Sequence, residues 1–259
     1  MTAPPATGPR SGAALPGTGH VDGAAGPRTA LGVVAWISLV LALDADGSLW
    51  LQRGLGLLTW VLLAVALRGE RPLVRVQTGV VVALATAVEY TFSPLLEVYT
   101  YRFDNVPAYV PPGHGLVYLA ALALGRAVWV RAHLRLATAL VLVSGGAWAA
   151  YGVTLAERTD ALGAFWYVCL AGFLLWGPSR PLYVGAFVVV SYLEVVGTAL
   201  GTWEWQPRDP VVGWVAIGNP PSGAAGGYGW FDLYALLVAG PVLARWRARR
   251  APPRVARTR

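Results

Sequence analysis

The chain has 259 residues, of which 56% are hydrophobic and 13% charged, and its mean hydropathy is +0.54. So little polar surface excludes an ordinary soluble protein and predicts an all-α, polytopic bundle of membrane helices. The formal net charge of +7 is typical of contact with anionic lipid headgroups, and we expect no nucleic-acid partner.

Residues 1–28 are rich in Pro, Gly, Ala and Thr and contain no apolar core, which predicts a disordered tail. Eight apolar stretches follow, and we predict that each is a transmembrane helix. They are residues 29–44, 49–67, 74–94, 113–130, 133–154, 161–177, 181–200 and 226–245. Residues 246–259 form a basic tail that we expect to act as an orientation signal.

The arginines indicate how the chain is oriented. With eight spans, 16 of the 20 arginines fall on one side of the membrane and 4 on the other. The positive-inside rule then places both termini in the cytoplasm of a multi-pass protein of the cell membrane. The acids are distributed in the opposite way, since eleven of the 13 fall in the outer half. The arginine-rich, alanine-rich composition suggests a bacterial source.

Two stretches of the chain repeat one pattern: a glutamate late in an apolar span, an aromatic-x-aromatic pair, a polar loop and Pro-Pro. The corresponding residues are Glu89, Tyr99, Tyr101, Pro111 and Pro112 in the first, and Glu194, Trp203, Trp205, Pro220 and Pro221 in the second. Their nearly constant spacing indicates a duplication. Asp46 with Trp50, and Asp160 with Trp166, extend it. We therefore predict a parallel 4+4 helix repeat, residues 29–131 and 132–245.

The two repeated glutamates are the first candidates for catalysis. Glu89 and Glu194 lie at similar depth, some 20 Å from the inner ends of their spans at ~1.5 Å per residue. An ionised carboxylate there is costly, so each must face the bundle interior, a partner or a water-filled cavity. Each could serve as a catalytic acid or base. Alternatively, each is structural and accepts hydrogen bonds from the Tyr or Trp side chains that follow it.

The regions after the glutamates differ between the two halves, which suggests where a site specialises. We predict that His114 and Asp232 assist catalysis. The alternatives are that His114 caps the fourth helix and that Asp232 pairs with Arg208. The predicted substrate-binding residues are Tyr99, Tyr101, Trp203, Trp205 and Asn219.

Several kinds of site are excluded by the residues present. Cys169 is the single cysteine, and of three histidines only His114 falls on the predicted outer side. These numbers are too small for a cysteine or histidine metal site, so we predict no metal. The sequence also lacks the glycine-rich motifs that bind nucleotides, and we predict no cofactor.

Many aromatic residues fall near the outer ends of the predicted spans, where they serve as interfacial anchors or line an apolar cavity. An aromatic cavity with one carboxylic acid is suited to protonating an isoprenoid double bond, because ring faces stabilise the carbocation that forms. The repeated pattern, Glu89 with the Tyr-Thr-Tyr at 99–101 and Glu194 with the Trp-Glu-Trp at 203–205, resembles small integral-membrane carotenoid cyclases and hydratases. More distantly, it resembles membrane terpene cyclases. The resemblance implies catalysis in the membrane without metal or nucleotide.

Three functions from different classes fit these observations. The first is a metal-independent intramembrane enzyme acting on an isoprenoid or other lipid, with Glu89 and Glu194 as acid or base. The second is a lipid or small-molecule transporter. The absence of acids from the inner half of the predicted spans counts against a translocation path. The third is a non-catalytic membrane partner of cell-envelope machinery. The partners that the sequence predicts are membrane lipid and a hydrophobic lipid substrate; it identifies no protein partner.

Overall fold

The computed structural model describes residues 26–250, and the predicted tails lie outside them except for the few residues that extend the first and last helices. Within that range the helices are α1 (Pro27–Ala45), α2 (Leu49–Arg68), α3 (Pro72–Tyr90), α4 (Val110–Gly125), α5 (Val128–Ala132), α6 (Leu134–Thr154), α7 (Ala161–Trp176), α8 (Arg180–Ala199) and α9 (Ala224–Arg250). α3 continues into a π-helical turn, Thr91–Leu95. Two strands, β1 (Tyr99–Tyr101) and β2 (Trp203–Trp205), lie in the loops after α3 and α8.

Six helical segments of the described chain are long and apolar enough to cross a membrane. They are α1, α2, α3 with its π-helical turn, α6, α8 and α9. The helices α4 and α7 are also apolar but have 16 residues each, which is short for a span. The prediction of a helical, multi-pass membrane protein is confirmed at this level.

The predicted fourth span, residues 113–130, is divided in the structure. α4 begins earlier, at Val110, because Pro111 and Pro112 fit the first helical turn, where backbone N–H groups need no partner. It ends at Gly125, and Ala127 adopts an extended conformation before the short α5 begins. The prediction of one continuous helix over 113–130 is therefore wrong.

α4 lies at the centre of the bundle and is buried along almost its whole length. It packs against α1, α2, α3 and α8, while α9 packs against α3, α7 and α8. Glycines allow α4 and α8 to approach closely, since a Cβ at Gly185 would collide with the backbone of Ala121 and one at Gly125 with that of Pro181. Small residues are the usual means by which membrane helices bring their backbones together. A helix of the first half is thus enclosed partly by a helix of the second.

The strands β1 and β2 pair as a two-stranded antiparallel sheet that joins the loops after α3 and α8. The register pairs Tyr99 with Trp205, Thr100 with Glu204 and Tyr101 with Trp203. Side chains alternate across a strand, so the four aromatic rings share one face, where they are buried. Glu204, on the other face, is exposed. The two aromatic-x-aromatic pairs, far apart in the sequence, therefore meet in the fold.

Candidate active site

Glu89, near the end of α3, binds the aromatic residues of β1. Its Oε2 accepts hydrogen bonds from the hydroxyls of Tyr99, at 2.9 Å, and Tyr101, at 2.8 Å. Burial, and then the charge of Glu89, raise the pKa of both phenols well above the ordinary value for tyrosine. Both tyrosines therefore keep their protons and act as donors.

His114 contacts the second carboxyl oxygen of Glu89. The Nε2 atom of its ring lies 2.8 Å from Oε1, and the ring stacks on Tyr228 with centroids 5.1 Å apart. Its Nδ1 is buried and has no hydrogen-bond partner among the described residues. His114 lies inside α4, and its ring contacts the glutamate of a neighbouring helix instead of capping its own. Two predicted catalytic residues thus form one hydrogen-bonded pair.

Glu194, near the end of α8, is the counterpart of Glu89 and is also buried. Its Oε2 accepts hydrogen bonds from the indole N–H groups of Trp203, at 3.2 Å, and Trp205, at 3.1 Å. Within residues 26–250 its Oε1 has no hydrogen-bond partner, and no histidine or arginine pairs with it. Glu194 therefore has one carboxyl oxygen fixed by the protein and one left for a ligand.

Both glutamates line one cavity of about 290 Å³, which we call the aromatic cavity. Its walls come from helices of both halves, and β1 and β2 lie against it. The rings that line it are Trp36, Phe92, Tyr99, Tyr101, Tyr109, Trp166, Trp203, Trp205, Tyr228, Trp230 and Phe231. Glu89, His114 and Glu194 are the ionisable side chains other than tyrosine in this lining. Such a cavity suits a hydrocarbon ligand, which would bind by burying its apolar surface.

Gly197 makes room on α8 for the ring of Trp203, because a Cβ at this position would collide with the indole. Gly197→Ala is therefore expected to displace Trp203 from Glu194 and to lower the free energy of unfolding by about 1–3 kcal/mol. Thermal unfolding of the purified protein in detergent measures the effect. Gly172→Ala on α7 is the control, because a Cβ there meets no atom within 4 Å. Equal unfolding temperatures for the two variants would contradict the expected displacement.

Two of the predicted site residues lie outside the lining of the aromatic cavity. Asp232 is buried on α9 one turn beyond Tyr228, and in the described part of the chain it forms no ion pair with Arg208. Asn219 is exposed, and its Oδ1 accepts a hydrogen bond from the backbone N–H of Trp205 at 3.1 Å. Asn219 thus supports β2. A catalytic role for Asp232 and a substrate-binding role for Asn219 stay predictions.

The sequence reasoning missed two residues that line the aromatic cavity. Trp36 of α1 donates a hydrogen bond from its Nε1 to Oγ1 of Thr59 on α2, at 3.1 Å. Neither residue belongs to the repeated pattern, and a tryptophan or threonine in an apolar span more often contacts lipid or a neighbouring helix. No signal in a single sequence separates these two from such residues.

Asp44 is a buried acid that the sequence reasoning passed over in favour of Asp46. Its carboxylate accepts hydrogen bonds from Gln52 at 3.0 Å and Tyr109 at 2.8 Å, and Arg102 lies 3.8 Å away. Burial and the charge of Asp44 raise the pKa of Tyr109 well above its ordinary value, so this phenol remains a donor. Asp44 therefore connects the end of α1 to the start of α2 and to the loop before α4.

The two glutamates differ in the chemistry available to them. Three polar side chains engage both oxygens of Glu89, an arrangement that suits an anion. Glu194 receives hydrogen bonds from two indoles on Oε2 alone. Because two indole N–H donors converge on Oε2, that oxygen is suited to be the carbonyl oxygen of a neutral Glu194, and Oε1 is then the oxygen that carries the proton. Within residues 26–250 no group of three or more His, Cys, Asp or Glu side chains could hold a metal ion.

Comparison with known proteins found no family model, no curated protein and no solved structure that matches this chain. The resemblance to membrane carotenoid cyclases and hydratases therefore stays a prediction from the repeated residues. The candidate site is defined by its own geometry: two buried glutamates, one paired with histidine and one with a free oxygen, in an aromatic cavity shared by both halves.

Proposed function

We propose that this chain is an intramembrane enzyme in which Glu194 donates a proton to an isoprenoid or a similar unsaturated lipid. One observation carries the proposal: Glu194 lines an aromatic, mostly apolar cavity with one carboxyl oxygen fixed by two indoles and the other free. The acidic proton of a neutral Glu194 then lies on the free oxygen, where a bound double bond could take it. A positioned general acid contributes about 10²–10⁴-fold to a reaction rate.

The proposed step balances without a metal or a nucleotide. The O–H bond of Glu194 breaks, and the electron pair of the substrate's double bond forms a new C–H bond. A carbocation results, and the faces of surrounding rings such as Tyr228 and Trp166 stabilise it. Loss of a proton from a neighbouring carbon gives an isomer. Attack of a second double bond of the substrate on the cationic carbon, followed by loss of a proton, gives a cyclic product, and addition of water followed by loss of a proton gives an alcohol. Each route releases the proton that restores neutral Glu194.

Glu89 and His114 have a second role in this proposal. As an anion held by two phenols and an imidazole, Glu89 places a fixed negative charge in the cavity that carries the carbocation. Opposite charges attract strongly where water is excluded. The pair is also a second base for the departing proton, besides the ionised carboxylate of Glu194, because all three side chains line the same cavity.

The proposal includes the finer topology: eight membrane spans, a parallel 4+4 repeat with units 29–131 and 132–245, and both termini in the cytoplasm of a bacterial cell. Three features support the repeat. α3 packs against α9, and α4 packs against α8. Because the proposed repeat relates α3 to α8 and α4 to α9, a two-fold rotation would exchange these two contacts. β1 pairs with β2 about the central Thr100 and Glu204. Glu89 and Glu194 each bind the aromatic pair that follows them.

The proposed function is tested by comparing membrane lipids with and without the protein. Extracts of a deletion strain and of its parent are analysed by mass spectrometry, together with the deletion strain complemented by the wild-type gene. We expect a hydrocarbon or isoprenoid precursor to accumulate on deletion and to be consumed on complementation. The precursor and product should have equal mass or differ by one water. Identical lipid extracts in all three strains would contradict the proposal.

A non-catalytic role is the second candidate, and one observation favours it. The hydrogen bonds of Glu89 and Glu194 attach β1 and β2 to the ends of α3 and α8, as a purely structural clamp would require. In that case the sheet serves to shape the outer loops for a protein partner. A stable complex isolated with the protein, together with unchanged lipids on deletion, would favour this role.

A further inference from the structure

A second group of polar side chains lies inside the bundle, away from the lining of the aromatic cavity. Asp232 of α9, Tyr118 of α4 and Tyr183 of α8 are 5%, 1% and 0% exposed, so all three residues are buried. Both phenol hydroxyls are buried without a hydrogen-bond partner. Asp232 likewise has no hydrogen bond or ion pair within residues 26–250. We call these three residues the buried polar cluster.

The members of the buried polar cluster come from three helices that are packed together. α8 packs against both α4 and α9. His114, one turn before Tyr118, stacks on Tyr228, one turn before Asp232, and Gly185, two residues after Tyr183, lies against the backbone of Ala121, three residues after Tyr118. The three polar groups therefore face a common space.

A dry arrangement of these groups would be unfavourable. Each has left water on folding without gaining a hydrogen bond, and buried polar groups in proteins are almost always hydrogen-bonded to protein or to ordered water. Buried water molecules occupy such places and make about three hydrogen bonds each. Two phenol hydroxyls and a carboxyl group supply that number of partners.

The buried polar cluster adjoins the aromatic cavity through two helices. On α9, Tyr228 lies one turn before Asp232, and on α4, His114 lies one turn before Tyr118, so each pair occupies one face of its helix. Tyr228 stacks on His114, and both line the cavity. Tyr118 and Asp232 therefore lie one helical turn beyond the stacked rings of His114 and Tyr228.

We propose that Tyr118, Tyr183 and Asp232 enclose a buried water site and that Asp232 passes protons through it between the bundle interior and the aromatic cavity. The proton-transfer part rests on the proposed function, whereas the water site does not. Asp232 gives its proton, through the water and the Tyr228 hydroxyl, to the Glu194 carboxylate left after substrate protonation. The proton that the carbocation then releases returns by the same path to Asp232, so both acids end the cycle protonated.

The sign of a stability change tests the water site. Removing a hydroxyl that binds water loses a hydrogen bond, whereas removing one that has no partner relieves an unfavourable burial. We expect Tyr118→Phe and Tyr183→Phe each to lower the unfolding temperature in detergent by about 2–4 °C. The double variant should lose less than the sum of the two, because both hydroxyls share the water. Unchanged or raised unfolding temperatures would overturn the site.

A matched control comes from the same helix as Asp232. Tyr234 is 51% exposed on α9, so Tyr234→Phe should leave the unfolding temperature unchanged. A loss in Tyr234→Phe as large as that in Tyr118→Phe would show that the effect is not specific to the cluster and would also overturn the site.

The relay is tested in the lipid-extract assay with Asp232→Asn and Asp232→Glu. Asparagine can still bind the water but cannot exchange a carboxyl proton, so Asp232→Asn should keep its unfolding temperature and form about tenfold less product or worse. Asp232→Glu should recover part of the product. If product is lost in Glu194→Gln but retained in Asp232→Asn, the relay is wrong and the proposed function stands. If both variants form product normally, the proposed function fails, and the stability test still decides the water site.

Discussion

Replacing Glu194 by glutamine is expected to abolish product formation while the protein stays folded and inserted. The amide oxygen of glutamine can accept the hydrogen bonds that Trp203 and Trp205 give to Oε2, so the attachment of β2 to α8 persists. The amide N–H₂ group then occupies the position of Oε1 and has no acidic proton to transfer. We expect the product in lipid extracts to fall by about 10²–10⁴-fold, with an unfolding temperature close to that of the wild type.

The control for this experiment is Glu204→Gln. Glu204 lies on β2 between the same two tryptophans, but its side chain is exposed on the opposite face of the strand. Glu204→Gln makes the same chemical change at a side chain that does not line the aromatic cavity, so product formation should be unaffected. Full product formation in Glu194→Gln would remove Glu194 as the acid and would leave the structural clamp as its role.

The largest loss of stability is expected from Asp160→Ala. Asp160 is buried, and its carboxylate accepts hydrogen bonds from three backbone N–H groups: Gly163 at 2.9 Å, Gly218 at 2.9 Å and Ser222 at 2.6 Å. Alanine would leave three buried donors without an acceptor, because the first belongs to the start of α7 and the others to the loop before α9. We expect the free energy of unfolding to fall by about 3–5 kcal/mol.

Denaturant titration or thermal unfolding in detergent measures this loss. Asp160→Asn keeps one oxygen acceptor, so its free energy of unfolding should lie between those of the wild type and Asp160→Ala. Asp46→Ala is the control, because Asp46 is exposed at the end of α1 and should contribute within about 0.5 kcal/mol. Equal stability of Asp160→Ala and Asp46→Ala would contradict the role assigned to Asp160. The loop that Asp160 holds carries Asn219, so Asp160→Ala should also disturb Trp205.

Much of the fold could be predicted because apolar length is a strong signal in a membrane chain. Six of the eight predicted stretches correspond to helices that are long and apolar enough to cross a membrane, and the other two correspond to shorter apolar helices, one of which is interrupted after Gly125. The repeated Glu and aromatic-x-aromatic pattern also indicated the contacts of Glu89 and Glu194, since strand alternation directs both rings of a pair to one side. The pairing of β1 with β2 could not be predicted, because each strand has only three residues and no alternating flanks.

The site was harder to predict than the fold. Asp44 could have been found from helical periodicity, since it follows the buried Val33, Ile37 and Leu41 on one face of α1. The contact between His114 and Glu89 depends on how α3 and α4 pack, which single-sequence patterns do not determine. Asp232 was placed on the right helix. Whether Asp232 lines the cavity depends on which turn of α9 the cavity reaches, and no pattern in the sequence indicates that turn.

The unequal partners of the two glutamates have a consequence for the origin of the chain. In a homodimer of one half, two-fold symmetry would give the two glutamates identical neighbours. In this chain, His114 lies beside Glu89, whereas the hydrogen-bond partners of Glu194 in the described chain are two tryptophans. Joining two halves in a single polypeptide lets each acquire its own substitutions. Under the proposed repeat, a single polypeptide would therefore allow two originally equivalent acids to take different roles.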